Sequence, residues 1–327
     1  MVYLSKVTRR HRGKRLTLRG NRINMNKVKY HILSGLVRAL GSLPLSALYR
    51  LGDTVAWVAE KVIHYRSDVV LMNLSRSYPD KKYKEISRMA HEFYRHFGEI
   101  FAETVWMAGC RKSPKRFADA HIVRVTNPEV INRLFTDTPG VMLVTGHIGN
   151  WELTGAARMF DFGGVVPAFE DKDIMAIYKQ LHDPVMDRIM KDIRSSVAST
   201  PLLASQLIES RDFIRTVASR HNEKHIWYSI NDQHPYKGAA YMELEFMHQP
   251  TRTMTATYRI AAKYQFSILY MSIRRIDRGH YEYTLIPIAE DASKMSLEDM
   301  VQKNYQLMQE DLEAQPSLYL WSHKRWK

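Results

Sequence analysis

Val141-Met142-Leu143-Val144-Thr145-Gly146-His147-Ile148-Gly149-Asn150-Trp151-Glu152-Leu153-Thr154-Gly155 is the stretch from which the rest of this chain is assigned. Four apolar residues run into Thr-Gly, and such a short run bounded by turn residues reads as a buried strand. Gly146 and Gly149 permit a tight turn and the close approach of another molecule. Asn150 suits the N-cap of a helix beginning near Trp151. The segment is therefore predicted to be a strand, a sharp turn carrying His147, and a helix start.

His147 and Glu152 stand five residues apart. On one continuous helix their side chains would diverge by about 140°, at ~100° per residue. They meet only if His147 sits in the turn and Glu152 in the first helical turn. The carboxylate would then hold Nδ1–H and leave Nε2 free as a base. Oriented N–H groups at the helix start would favour developing negative charge. A base, its orienter and an anion site are what acyl transfer to a hydroxyl requires. The same pattern also arises in an ordinary loop histidine.

Composition narrows the field. The chain has 327 residues, 45% of them hydrophobic, enough for one large domain or two small ones. Its formal charge is +14, and residues 1–27 hold nine basic residues and no acid, leaving +5 for the rest. Residues 1–27 read as a basic, disordered tail, and Met25 offers a second possible start. Such a tail suits anionic lipid or nucleic acid, but no nucleic-acid partner is expected of the body. Cys110 is the only cysteine, so no disulfide framework or cysteine metal site is expected. There is no Walker-type phosphate loop, no zinc spacing and no Gly-x-Ser-x-Gly elbow.

Further along the chain, residues 28–66 read as two amphipathic helices split near Pro44. Their longest uncharged piece, Ala39–Tyr49, falls short of the ~20 residues that cross a bilayer. A monotopic anchor with Arg38, Arg50, Lys61 and Arg66 at headgroup level fits them. Residues 67–108 read as helix broken at Tyr78-Pro79-Asp80. Strands are expected at Val165–Phe169 and His225–Ile230, the latter ending on Asn231-Asp232-Gln233. Residues 172–193 carry a helical pattern, and Ser199–Gln206 a loop. Paired strands are expected at Phe266–Ile273 and Tyr281–Ile288, then a helix at 296–313. The end, Leu318-Tyr319-Leu320-Trp321-Ser322-His323-Lys324-Arg325-Trp326-Lys327, mixes aromatic and basic residues as an interfacial segment would. Strand–helix–strand order predicts an α/β fold.

Several blocks together carry a resemblance. They are Asn73-Leu74-Ser75-Arg76-Ser77-Tyr78-Pro79-Asp80, Phe93-Tyr94-Arg95-His96-Phe97, Gly146 to Glu152, Asp183-Pro184 through Asp187-Arg188, Asp232-Gln233, and the terminal segment. In this order the chain resembles the late acyltransferases of lipid A biosynthesis, the lauroyl/myristoyl transferases of the lysophospholipid-acyltransferase superfamily, over roughly residues 28–327. The resemblance implies a mixed central sheet flanked by helices, of the glycerolipid acyltransferase kind, with a membrane-associated helical region at 28–66 and the acyltransferase domain at 67–327. It implies His147 as base with Glu152 orienting and stabilising the imidazolium. Asn150, Lys179, Arg188, Asp232 and Gln233 are the implied substrate-binding residues. Lys179 stands where the family usually has arginine, keeping the charge but losing the bidentate fork.

No cofactor and no metal are expected. The implied donor is a thioester of acyl carrier protein or coenzyme A, and the acceptor a lipid A precursor at the cytoplasmic face of the inner membrane. O-acylation of another lipid, such as a lyso-aminolipid or lysophospholipid, is the alternative. A basic rim would steer an acidic carrier and a phosphorylated lipid alike, and an apolar groove would measure chain length at ~0.8 kcal/mol per methylene.

Overall fold

The computed structural model describes residues 25–197 and 206–326. Residues 1–24 of the expected tail at 1–27 and most of the expected loop at 199–206 lie outside the described residues, and the last three residues of that tail, Met25 to Lys27, are helical rather than disordered. The N-terminal region forms α1 (Met25–Gly41) and α2 (Leu45–Trp57), separated at Pro44 and prolonged by a wider turn at Val58–Val62. α3 (Ser67–Ser77) and α4 (Tyr83–Gly109) follow, broken at the Tyr78-Pro79-Asp80 turn. The stripe Ile86, Met89, Phe93 on α4 faces inward, as its helical spacing requires.

Among the described residues the central sheet has the order β1-β9-β8-β2-β5-β3-β4. Its strands are β1 (Val123–Val125), β2 (Val141–Thr145), β3 (Ile174–Tyr178), β4 (Leu207–Glu209), β5 (Ile226–Ile230), β8 (Ser267–Asp277) and β9 (His280–Ala289). All neighbours run parallel except β8 and β9, which form the antiparallel hairpin expected from the sequence. β6 (Tyr241–Phe246) and β7 (Gln249–Met254) make a separate antiparallel pair. Helices α5 (Pro114–Ala118), α6 (Pro128–Asp137), α7 (Pro184–Arg194), α8 (Phe213–Arg220), α9 (Ala256–Lys263) and α10 (Leu297–Ala314) complete the order. This is a mixed α/β architecture with a mostly parallel sheet flanked by helices. Every residue of β2 is buried, as a central parallel strand covered on both faces must be.

One strand assignment needs correction. Val165–Phe169 is not a strand. Gly163 and Gly164 take positive φ, and the chain crosses the surface with Val166 80% exposed. The strand beside β5 is β3, from the region read as helical, and that helix begins only at Pro184. Pro184 at a first helical position and the Asp183 cap, which accepts from the Val185 and Met186 amides, set that start.

The N-terminal pair is joined to α4 by bare backbone. A Cβ on Gly98 would run into the Gly52 carbonyl oxygen, and one on Gly109 into that of Gly41. Gly98→Ala is therefore expected to destabilise the protein by about 2–3 kcal/mol, the cost of overpacking a tight contact, read as a lowered urea midpoint. α1 also docks on α7: Tyr30 donates to Asp192, Lys29 pairs with Asp183 at 2.5 Å, and the Arg188 guanidinium lies 3.9 Å over the Tyr30 ring. No single helix among the described residues is long and apolar enough to cross a membrane. α1 and Leu45–Val62 meet at 120°.

The C-terminal segment is not the interfacial tail its composition suggests. Trp321 is fully buried, Arg325 is 1% exposed, and Trp326 is 9% exposed. Its backbone runs across the turn after β2: Gly149 N–H donates to the Leu318 carbonyl, and Leu320 N–H to that of His147.

Candidate active site

The register of β2 on β5 builds the site. Thr145 pairs with Ile230, and Asn231 N–H donates to the Thr145 carbonyl. Two residues beyond that last rung stand His147 on one strand and Asp232 on the other. They meet there: His147 Nδ1 lies 2.6 Å from Asp232 Oδ1, and the His147 amide donates to Oδ2 at 3.1 Å. The carboxylate thus holds both the ring and the backbone of the same residue. Both groups sit at the carboxyl ends of parallel strands, where open α/β sheets place ligands.

The hydrogen bonds also assign the tautomer. An ionised carboxylate only accepts, so Nδ1 carries the proton. Nε2 is then the acceptor, and the Gln233 side-chain amide reaches it at 3.3 Å. Burial alone would raise the Asp232 carboxyl. The charge and hydrogen bonds of His147, with Arg325 behind them, outweigh that and hold it at about 2. The imidazole is 14% exposed, and the Trp151 ring stands edge-on to it, centroids 5.0 Å apart.

The expected His147–Glu152 contact is not formed. Both Glu152 oxygens are taken by Arg194: Oε2 accepts from Nε and Oε1 from an Nη, each at 2.7 Å. Trp151 Nε1 also donates to Oε1 at 3.2 Å. The reason lies in the turn. Gly149 takes φ +59°, and Trp151–Met159 is a 3-10 rather than an α-helix, which leaves Glu152 facing α7. Among the described residues the Glu152 carboxylate is held by Arg194 and Trp151, and it is the Trp151 ring that meets the imidazole.

Asn150 caps this segment as expected, its Oδ1 accepting from Glu152 N–H, but it is fully buried with both amide atoms engaged and so does not sit where the implied substrate-binding role would need it. Its Nδ2 donates at 2.7 Å to Glu103, a carboxylate with no exposure that also accepts from Tyr49 and Tyr281. Burial pushes the Glu103 carboxyl up, against the pull of these donors. By taking the amide nitrogen, Glu103 leaves the Asn150 oxygen to cap. Glu103→Ala would strand three donors and open a void, and is expected to cost about 3–5 kcal/mol, measured by denaturant titration.

The remaining expected residues divide. Gln233 is at the site. Lys179 is exposed just beyond β3 on the same edge of the sheet. Arg188 is committed to the Tyr30 ring. Arg194, Arg325 and Glu103 were not singled out from the sequence. Arg325 lies in the terminal block, but Arg194 carries no local signal. A cleft of about 510 Å³ opens elsewhere, between β6 and α10. Glu243, Glu245, Glu310 and Glu313 line it, so it does not suit an anionic ligand. No group of three or more metal-ligating side chains occurs among the described residues.

The fold is thus a mostly parallel α/β sheet with a histidine held by a carboxylate at the carboxyl ends of its strands. Comparison with known proteins narrows the class. The profile of the family described as "Bacterial lipid A biosynthesis acyltransferase" matches residues 21–327, and the chain belongs to that family. It is an acyltransferase of lipid A biosynthesis. It is similar to the lipid A biosynthesis lauroyltransferase of Escherichia coli (strain K12), with 20% identity over 298 residues covering 90% of this chain and 89% of the relative.

Proposed function

We propose that this protein transfers a fatty acyl chain from an acyl thioester to a hydroxyl of a lipid A precursor at a membrane surface, with His147 as general base and Asp232 as its orienter. The observation that carries this reading is the 2.6 Å Nδ1–Asp232 contact, which leaves an unprotonated Nε2 to receive the hydroxyl proton. The acceptor hydroxyl displaces the Gln233 amide from Nε2. Its oxygen attacks the thioester carbonyl as its proton passes to Nε2. The tetrahedral intermediate then collapses to the ester, and the departing thiolate takes the proton back from the imidazolium. Asp232 stabilises the imidazolium through both steps. Glu152 and Arg194 form the second charged pair of the site, fixing Trp151 beside the ring.

The donor in this reading is an acyl carrier protein or coenzyme A thioester. The relative's name makes lauroyl the first chain to try. Lys179 at the open edge of the sheet suits the phosphate of either substrate. Val28, Ile32 and Leu36, one helical turn apart on α1, are exposed, as are Leu43, Trp57, Val62 and Ile63. With Arg50 and Lys61 also exposed nearby, this face supports shallow insertion at the cytoplasmic side of the inner membrane.

The test is to incubate purified protein with a lipid A precursor and a mixture of acyl carrier protein thioesters and to weigh the products. A lipid gaining one acyl mass supports the reading. Thioester loss with release of free fatty acid would instead make water the acceptor. Unchanged lipid A in a deletion strain, with a lysophospholipid or lyso-aminolipid accumulating, would move the acceptor to that lipid.

A further inference from the structure

Arg325 is an unusual residue to bury. Among the described residues its guanidinium, 1% exposed, makes hydrogen bonds only to neutral oxygens: the Arg252 carbonyl at 2.7 Å and the Tyr305 hydroxyl at 3.0 Å. Its Nε hydrogen has no acceptor among the described residues. A buried cation paired with neutral groups is costly and weak as a device for stability. The carboxylate that feels its charge is Asp232. A chain of contacts links the two as well. The Tyr305 hydroxyl donates at 3.0 Å to the carbonyl of Asn231, the residue just before Asp232, and lies 2.8 Å from Thr253 Oγ1.

We propose that Arg325 is a positioning residue for the His147–Asp232 pair: its guanidinium, delivered by the last turn of the chain, locks the Asn231–Asp232–Gln233 turn through Tyr305 and supplies the positive field in which the imidazole works. The terminal segment is held for this task. Asn73 Nδ2 donates to the Trp321 and His323 carbonyls, Arg66 to the Ser322 carbonyl, and Trp326 Nε1 to Thr251 Oγ1. The same segment supplies the two backbone bonds that flank His147. The inference rests on the proposed role of His147 as base.

The charged and titratable groups around the imidazole are few. Asp232 faces it from the turn after β5. Tyr319 and His323 come from the terminal segment, and burial holds His323 down at about 4, so it is neutral at working pH. Glu152 and Arg194 cancel each other from the 3-10 segment and α7. Among the described residues Arg325 and Arg66, which acts on His323, both lack a direct carboxylate partner; Arg66 is exposed to solvent, whereas Arg325 is buried. Removing a nearby positive charge favours the protonated form of a base.

The experiment is the pH profile of kcat/KM for acyl transfer, measured on full-length protein with acyl thioester and lipid precursor. Arg325→Gln is expected to move the acid limb of that profile upward, the direction that loss of a nearby positive charge gives. Arg325→Lys, which keeps the charge but not the fork, should leave the limb in place while lowering kcat. A purely structural loss would lower the curve at every pH without moving it. An unmoved limb in folded Arg325→Gln, or the same shift in both variants, overturns the inference. If neither variant folds, Tyr305→Phe carries the test. It should lower kcat about tenfold at unchanged KM, and an unchanged kcat overturns the link. His147→Ala separates the levels: if it stays active, the base reading itself fails. If it is dead while the Arg325 variants behave like wild type, only the role of Arg325 is lost.

Discussion

Asp232→Asn is expected to slow acyl transfer by on the order of 10³-fold, and His147→Ala by at least as much. Asparagine is close in size, so the turn should survive. What changes is the proton. Asp232 can only accept, which pins hydrogen on Nδ1 and keeps Nε2 basic. An amide can instead donate to Nδ1, moving the ring proton to Nε2, where it blocks uptake of the hydroxyl proton. The loss should therefore fall on kcat, with KM for the thioester nearly unchanged. A rate within tenfold of wild type in Asp232→Asn would remove Asp232 from the mechanism. The same substitution has a signature in stability. The folded carboxyl titrates at about 2 against an ordinary 3.8. Because the value is depressed, its contribution of about 2 kcal/mol is fully present above about pH 4 and fades as pH falls toward 2. Acid unfolding of Asp232→Asn should lack that part of the pH dependence.

The second large effect is at Glu152 and Arg194. Arg194→Ala is expected to cost about 3 kcal/mol and to lower turnover by about 100-fold. The pair is bidentate, with Glu152 side-chain exposure of 10% and Arg194 of 24%, so removing the guanidinium leaves a nearly buried carboxylate unpaired. Glu152→Ala should behave similarly, since it frees Trp151 from its Nε1 partner beside the imidazole and strands the guanidinium. The double variant should be no worse than either single one, because each already removes the pair. Urea titration and single-turnover kinetics on the three proteins give the coupling. Additive losses would mean that Glu152 and Arg194 act separately, and would reopen a direct role for Glu152 at the imidazole.

The contrast between Asp232 and Glu152 shows what the sequence can and cannot express. The run Val141–Thr145, the turn glycines and the Asn150 cap are local, and each was readable from residue type. The partner of His147 was not, because it lies 85 residues away and reaches the ring only through the parallel register of β2 on β5. Glu152 stood nearer in the chain, but positive φ at Gly149 and the tighter 3-10 winding turned it aside. β3 was missed because Ile174-Met175-Ala176-Ile177-Tyr178 runs directly toward a real helix, and apolar runs this short suit either state. The terminal Trp-Ser-His-Lys-Arg-Trp segment misled for another reason. Aromatic and basic residues at a chain end have the composition of a membrane belt, yet here the indoles are core and the arginine is buried against Tyr305 and the Arg252 carbonyl. Composition reports what a side chain can touch, and only packing reports what it does touch.

The glycine contacts of α1 and α2 with α4 have one more effect. Chain meets chain there with no side chain between, so the N-terminal pair has little room to swing relative to the sheet. Any surface that catches Val28, Ile32 and Leu36 consequently fixes the height and tilt of the imidazole above it. The enzyme would then work as a ruler standing on its own foot: hydroxyls at one depth come within reach, and those a few ångströms higher or lower do not.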